Sequence, residues 1–150
     1  MAGIAEAVRM GQAGQRTAAR DALTRLWGQA DDPLHRCTIA HYLADLQESP
    51  EDELCWDERA LAAAAVLTDD RARQHDASWQ VQAMLPSLHL NLADVHRRLG
   101  HADVAPHHLD AARALLDSLP DGDYGTLIRQ GFDRVEQALA SGSSAPLETA

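Results

Sequence analysis

Cys37, His41 and Asp45 follow one another at intervals of four residues, the spacing that lines up one stripe along a helix. Thiolate, imidazole and carboxylate all ligate zinc, and His35 stands close by in sequence. A helix carrying this stripe could contribute to a metal centre or to a ligand-sensing regulatory site. A plainer reading competes with that one. Cysteine on a helix is usually a small buried hydrophobe, and a histidine one turn away commonly packs beside it. His107-His108 and the pair His89/His96 add further imidazoles, in patterns less suited to ligation.

No other chemistry is spelled out along the chain. There is no phosphate-binding loop, dinucleotide fingerprint, nucleophile elbow or paired CxxC, and no order of serine, histidine and acid that suggests a triad. The expectation is a chain without catalysis, cofactor or resident metal. An enzyme would need a site assembled across a dimer.

The elements that position these residues are helical. Alanine is abundant, aromatics make up only 4% of residues, and β-branched residues are few. Alanine has the highest helix propensity, and its small side chain lets helices approach closely. With 150 residues the chain is long enough to bury a core without disulfides. Its formal net charge of -10 argues against a nucleic-acid partner and leaves room for a basic one. All 13 of its Lys+Arg residues are arginine. Cys37 and Cys55 sit in apolar helical surroundings, which suggests reduced thiols in a cytoplasmic protein. The first residues lack the pattern of a signal peptide, and the longest apolar run, 60–67, is mostly alanine and too short to span a bilayer. No membrane partner is expected.

Apolar spacing and capping signals predict seven helices: 3–13, 15–29, 33–47, 50–67, 79–99, 102–118 and 123–140. Asp32-Pro33 and Ser49-Pro50 are strong start signals. The stretch 68–78 reads as mostly loop, and Pro86 is expected to kink the fifth helix rather than divide it. Residues 1–140 read as one domain, and 141–150, SGSSAPLETA, as a disordered tail.

The clearest unit is the hairpin around Leu99-Gly100. Leu88, Leu92, Val95 and Leu99 line one helix; Val104, Leu109, Ala112, Leu115, Leu116 and Leu119 line the next. His89, Leu92-Ala93, His96, Ala105, Leu109 and Pro120 fall at the pattern positions of a tetratricopeptide repeat, with small residues where paired helices touch. Near the start, Glu6-Ala7, Met10, Gly14, Ala19 and Leu23 repeat the offsets of Leu92-Ala93, His96, Gly100, Ala105 and Leu109. A poorer copy surrounds Ile39-Ala40 and Leu43. The chain thus resembles tetratricopeptide-repeat proteins, nearest to the longer kinesin-light-chain-like repeats.

That resemblance implies an all-α stack of about seven antiparallel helices in a right-handed superhelix, with the last helix as a cap. It also implies a protein- or peptide-binding scaffold whose groove is lined by the first helix of each hairpin. Matching the units puts Cys37, His41 and Asp45 on the groove side of the third helix. Leu90, Asn91, Asp94, Arg97 and Arg98 take the corresponding places on the fifth. Arg97-Arg98 also reads more simply as a solvated helix end placed against the helix dipole. The expected assembly is a monomer or weak homodimer.

Overall fold

A computed structural model describes residues 2–69, 75–117 and 119–147, with side chains described outside 67–81. The fold is all-α. Seven helices occur among the described residues: α1 (Ala2–Gln12), α2 (Arg16–Gln29), α3 (Pro33–Asp45), α4 (Pro50–Asp69), α5 (His75–Arg98), α6 (Ala105–Leu116) and α7 (Asp123–Ala140). None of them is long and apolar enough to cross a membrane.

The boundaries depart from the sequence reading most at the α4–α5 junction and at the start of α6, while α5 is one helix as expected. Residues 68–69 continue α4 and 75–78 already belong to α5; the rest of the stretch expected as loop, 70–74, lies outside the described residues. α5 runs unbroken through Pro86, which is buried. The amide that proline lacks would have bonded the Gln82 carbonyl, and Gln82 is exposed, where water can replace that bond. α6 begins later than expected, because residues 102–104 form a turn closed by Val104 N–H on the His101 carbonyl at 3.1 Å.

The chain divides into two compact units, Met1–Val81 and Gln82–Ala150. In the first, α1 packs on α2 and α3, α2 on α3, and α3 on α4. Its core joins Ile4, Ala7, Ala19, Leu23, Ile39 and Leu43, with Trp27 and Trp56 edge-to-face beside it at 5.1 Å. Local chemistry starts the helices. Asp32 Oδ1 accepts from the amides of Leu34 at 2.8 Å and His35 at 3.2 Å, and Pro33 occupies the first turn of α3. Ser49 Oγ accepts from Asp52 N–H at 3.2 Å, and the first turn of α4 carries Glu51, Asp52 and Glu53 against the positive end of its dipole.

In the second unit α5, α6 and α7 share a core of Leu90, Ala93, Leu109, Ala112, Ile128 and Phe132. The first turn of α7 passes so close to the chain before it that it requires a glycine. A Cβ on Gly125 would lie 2.6 Å from the Pro120 carbonyl oxygen. Arg129 then holds the corner, donating to the carbonyls of Leu116 at 3.0 Å and Leu119 at 3.4 Å.

Three helices close in the same way. Gly14, Gly100 and Gly142 take positive φ of 89°, 82° and 74°. Each glycine amide bonds the carbonyl three residues back, and the next amide bonds the carbonyl five back, which is the glycine-terminated Schellman arrangement. Gly14 and Gly100 are 86 positions apart, as are Ala7 and Ala93, Ala19 and Ala105, and Leu23 and Leu109. All six of those apolar residues are buried.

Candidate functional site

The first candidate is the stripe on α3. Cys37 is completely buried, and burial pushes its thiol up to about 11, so it stays protonated. The Nδ1 of His41 is buried with no hydrogen-bond partner among the described residues, and burial holds the imidazole down to about 4. Its ring lies 5.3 Å from that of Tyr42. Asp45, at the end of α3, is exposed by surface area but crowded on its inner side. Lost hydration and then the charge of Glu53 push its carboxyl up to about 6, against the pull of Arg16. Arg16 Nη2 also donates to the Asp45 carbonyl at 3.1 Å.

Among the described residues no group of three or more His, Cys, Asp and Glu side chains is arranged to hold a metal ion. The stripe does not converge, because Cys37 faces the core while Asp45 reaches solvent. Asp45 instead borders a shallow pocket of about 210 Å³ with Val8, Gly11, Gln12, Arg16 and Tyr42.

The second candidate lies on α5. Leu90 belongs to the core, so like Cys37 it offers no groove surface; both are apolar enough to be worth more inside than out. Asn91, Asp94 and Arg98 are half-buried. Asp94 organises the end of the helix: its Oδ1 accepts from Arg97 Nε at 3.1 Å and Nη2 at 2.7 Å, and its Oδ2 accepts from Arg98 Nε at 2.9 Å. Arg97 is not the solvated helix end that its position suggested. It is 3% exposed, and its Nη1 donates to the carbonyls of Ser143 and Ala145, each at 2.8 Å.

Those acceptors belong to the segment read from sequence as a tail. Ser143 Oγ accepts from the Ala145 amide at 3.3 Å, and Leu147 packs against the α5–α7 core. Composition could not reveal this, because the segment bonds through its backbone and a single leucine.

A third cluster joins histidines that the sequence reading named separately, together with His101, which it did not name. His89 and His96 on α5, His101 in the turn and His108 on α6 form a row of imidazoles. His89 and His108 meet Nδ1 to Nδ1 at 3.3 Å, and His96 and His101 at 2.9 Å, while His96 and His108 stack. Each Nδ1 pair needs one donor and one acceptor, hence at least one neutral ring. Burial, then the neighbouring charges of His89, His96 and His107, push His108 down to about 4; burial also lowers His89. The available signal was the seven-residue spacing of His89 and His96, two helical turns on one face.

His41 and Asp94, expected at equivalent places in one groove, belong to different units. Compared with known protein families, curated proteins and solved structures, the chain matches none.

Proposed function

We propose that the chain is a non-catalytic helical-repeat module that binds a protein or peptide partner, in the manner of tetratricopeptide-like scaffolds. One observation carries the reading. The α1–α2 and α5–α6 hairpins share their turn glycine, their turn hydrogen bonds and their buried alanines in a register offset by 86 residues. Arrays of repeated helical hairpins present extended surfaces suited to partners rather than enclosed reaction chambers. Cys37 and His41 are themselves ill-suited to catalysis. A thiol pushed up to about 11 and an imidazole held near 4 are neutral at physiological pH, so Cys37 is a poor nucleophile and His41 a weak base.

On this reading each unit is taken by itself: the contact residues are the half-buried Asn91, Asp94 and Arg98 on α5 in the second, or half-buried Tyr42 and exposed Asp45 at the pocket in the first. The test is a random-peptide display selection against the full chain, followed by binding titrations. Enriched peptides whose affinity drops at least tenfold on Asn91→Ala or Tyr42→Ala support the reading. Failure to enrich any peptide above a denatured control, or enriched peptides that ignore both substitutions, would discard it.

A further inference from the structure

The buried guanidinium of Arg97 is bound to main chain as well as to Asp94. Two of its nitrogens are fixed by that carboxylate, which aims the third, Nη1, at the Ser143 and Ala145 carbonyls. A planar fork held this way is pre-organised, so little rotamer freedom is lost when carbonyls dock on it. Ser143 is tied to α7 by its amide on the Ala138 carbonyl at 3.0 Å, the last bond of the turn that Gly142 makes with a φ of 74°. Beyond it the segment is weakly held otherwise: Ser144, Ala145 and Pro146 are exposed, and Leu147 is only partly buried.

What the clamp reads can be stated residue by residue. Ser143 folds the segment by accepting from the amide two residues on. Pro146 fixes its own φ and keeps Ala145 out of helical geometry, so both carbonyls stay outside a helix. Leu147 supplies the one apolar anchor, on the core shared by α5, α6 and α7. The bound pattern is Ser-x-Ala-Pro-Leu, a non-helical turn ending in an aliphatic residue.

We propose that the Arg97–Asp94 clamp is a docking surface for a Ser-x-Ala-Pro-aliphatic segment of another protein, and that residues 143–147 are its resident occupant. The partner binds by displacing them. This rests on the peptide-binding reading above and adds its site, its ligand chemistry and its regulation: the chain competes with its own partner.

The experiment uses the full chain and a fluorescent synthetic peptide, SGSSAPLETA, read by anisotropy. Leu147→Asp places a charge on the apolar anchor and should release the resident segment while leaving the clamp intact. Expected is binding of the peptide at least tenfold tighter to Leu147→Asp than to the unaltered chain. That gain should be lost when Arg97→Lys is added, since an ammonium keeps the charge but not the fork. Circular dichroism verifies that each variant keeps its helices. If a variant does not fold, amide exchange on the unaltered chain replaces it: saturating peptide should accelerate exchange at Ala145, whose amide bonds the Ser143 hydroxyl within the docked turn. Equal affinity for both chains, a gain that survives Arg97→Lys, or exchange that peptide leaves unchanged overturns the proposal. A concentration-dependent dimer of the unaltered chain that Leu147→Asp abolishes also overturns it, because the occupant would then be a second copy. Display-selected peptides that bind without regard to Leu147 or Arg97 would leave the scaffold reading standing and remove this one.

Discussion

The imidazole of His96 lies parallel to that of His108, their planes 4° apart and their centres 5.5 Å apart. One ring comes from α5 and the other from α6, so the pair bridges the hairpin. Unlike a phenyl or indole contact, it includes a group, His108, that titrates.

Acid should therefore weaken the fold. His41 and His108 are held near 4 in the folded chain against 6.5 when free. Between those values the unfolded chain binds more protons, so their contribution is complete above about pH 6.5 and is lost as pH falls toward 4. Asp45 has the opposite sign. Its carboxyl is raised from 3.8 to about 6, so its ionisation costs stability above that pH and acid relieves the cost. Thermal melts from about pH 7 down to about pH 4.5 should show a falling Tm. His108→Gln should flatten that fall, and Asp45→Asn should raise Tm at neutral pH while steepening it.

Gly125→Ala should destabilise the chain by roughly 1–3 kcal/mol, because the added Cβ meets a backbone oxygen that cannot swing aside. Gly28→Ala is the control. It lies in α2 with nothing within 4 Å of the added atom, and should gain up to about 1 kcal/mol from helix propensity. Urea denaturation separates the two outcomes; a harmless Gly125→Ala would contradict the close approach to Pro120.

Ala93 and Ala105 are both completely buried. Replacing either with leucine should cost roughly 1–3 kcal/mol, since helices packed this closely cannot absorb three extra carbons without moving apart. Melts in which both variants match the parent would argue against tight hairpin packing.

Removing residues 143–150 should lower stability by roughly 1–3 kcal/mol, because a buried guanidinium loses two carbonyl acceptors. Arg97→Met in the shortened chain should recover part of that loss, having no donors left to satisfy. A shortened chain that melts with the parent would mean that solvent serves Arg97 equally well.

Helix content was legible because it depends on local signals. Asp32-Pro33 and Ser49-Pro50 begin α3 and α4 as their capping chemistry requires, and the predicted limits of α7 match those observed. Gly14 and Gly100 were legible for the same reason, since positive φ selects glycine, whereas Gly142 was hidden in the polar composition of the segment read as a tail. Burial at the candidate site was not. Arg97 and Arg98 are identical neighbours in sequence, and only the arrival of Ser143 and Ala145, more than forty residues later, makes Arg97 an interior residue. The stripe on α3 misled for a related reason. Helical spacing aligns Cys37, His41 and Asp45 on one face, but it does not say how much of that face a neighbouring helix covers.

Gly142 closes α7 with the turn that, at Gly14 and Gly100, leads into a new helix. After Gly142 the chain takes that exit and stays irregular through residue 147. The fold thus carries a ready splice point: a helix copied from 15–29 or 101–116, grafted behind Gly142, would enter through a turn the chain already makes. An array lengthened there would gain a hairpin without redesign of its joint, and its new helix would have to take over the role of the carbonyls that now satisfy Arg97.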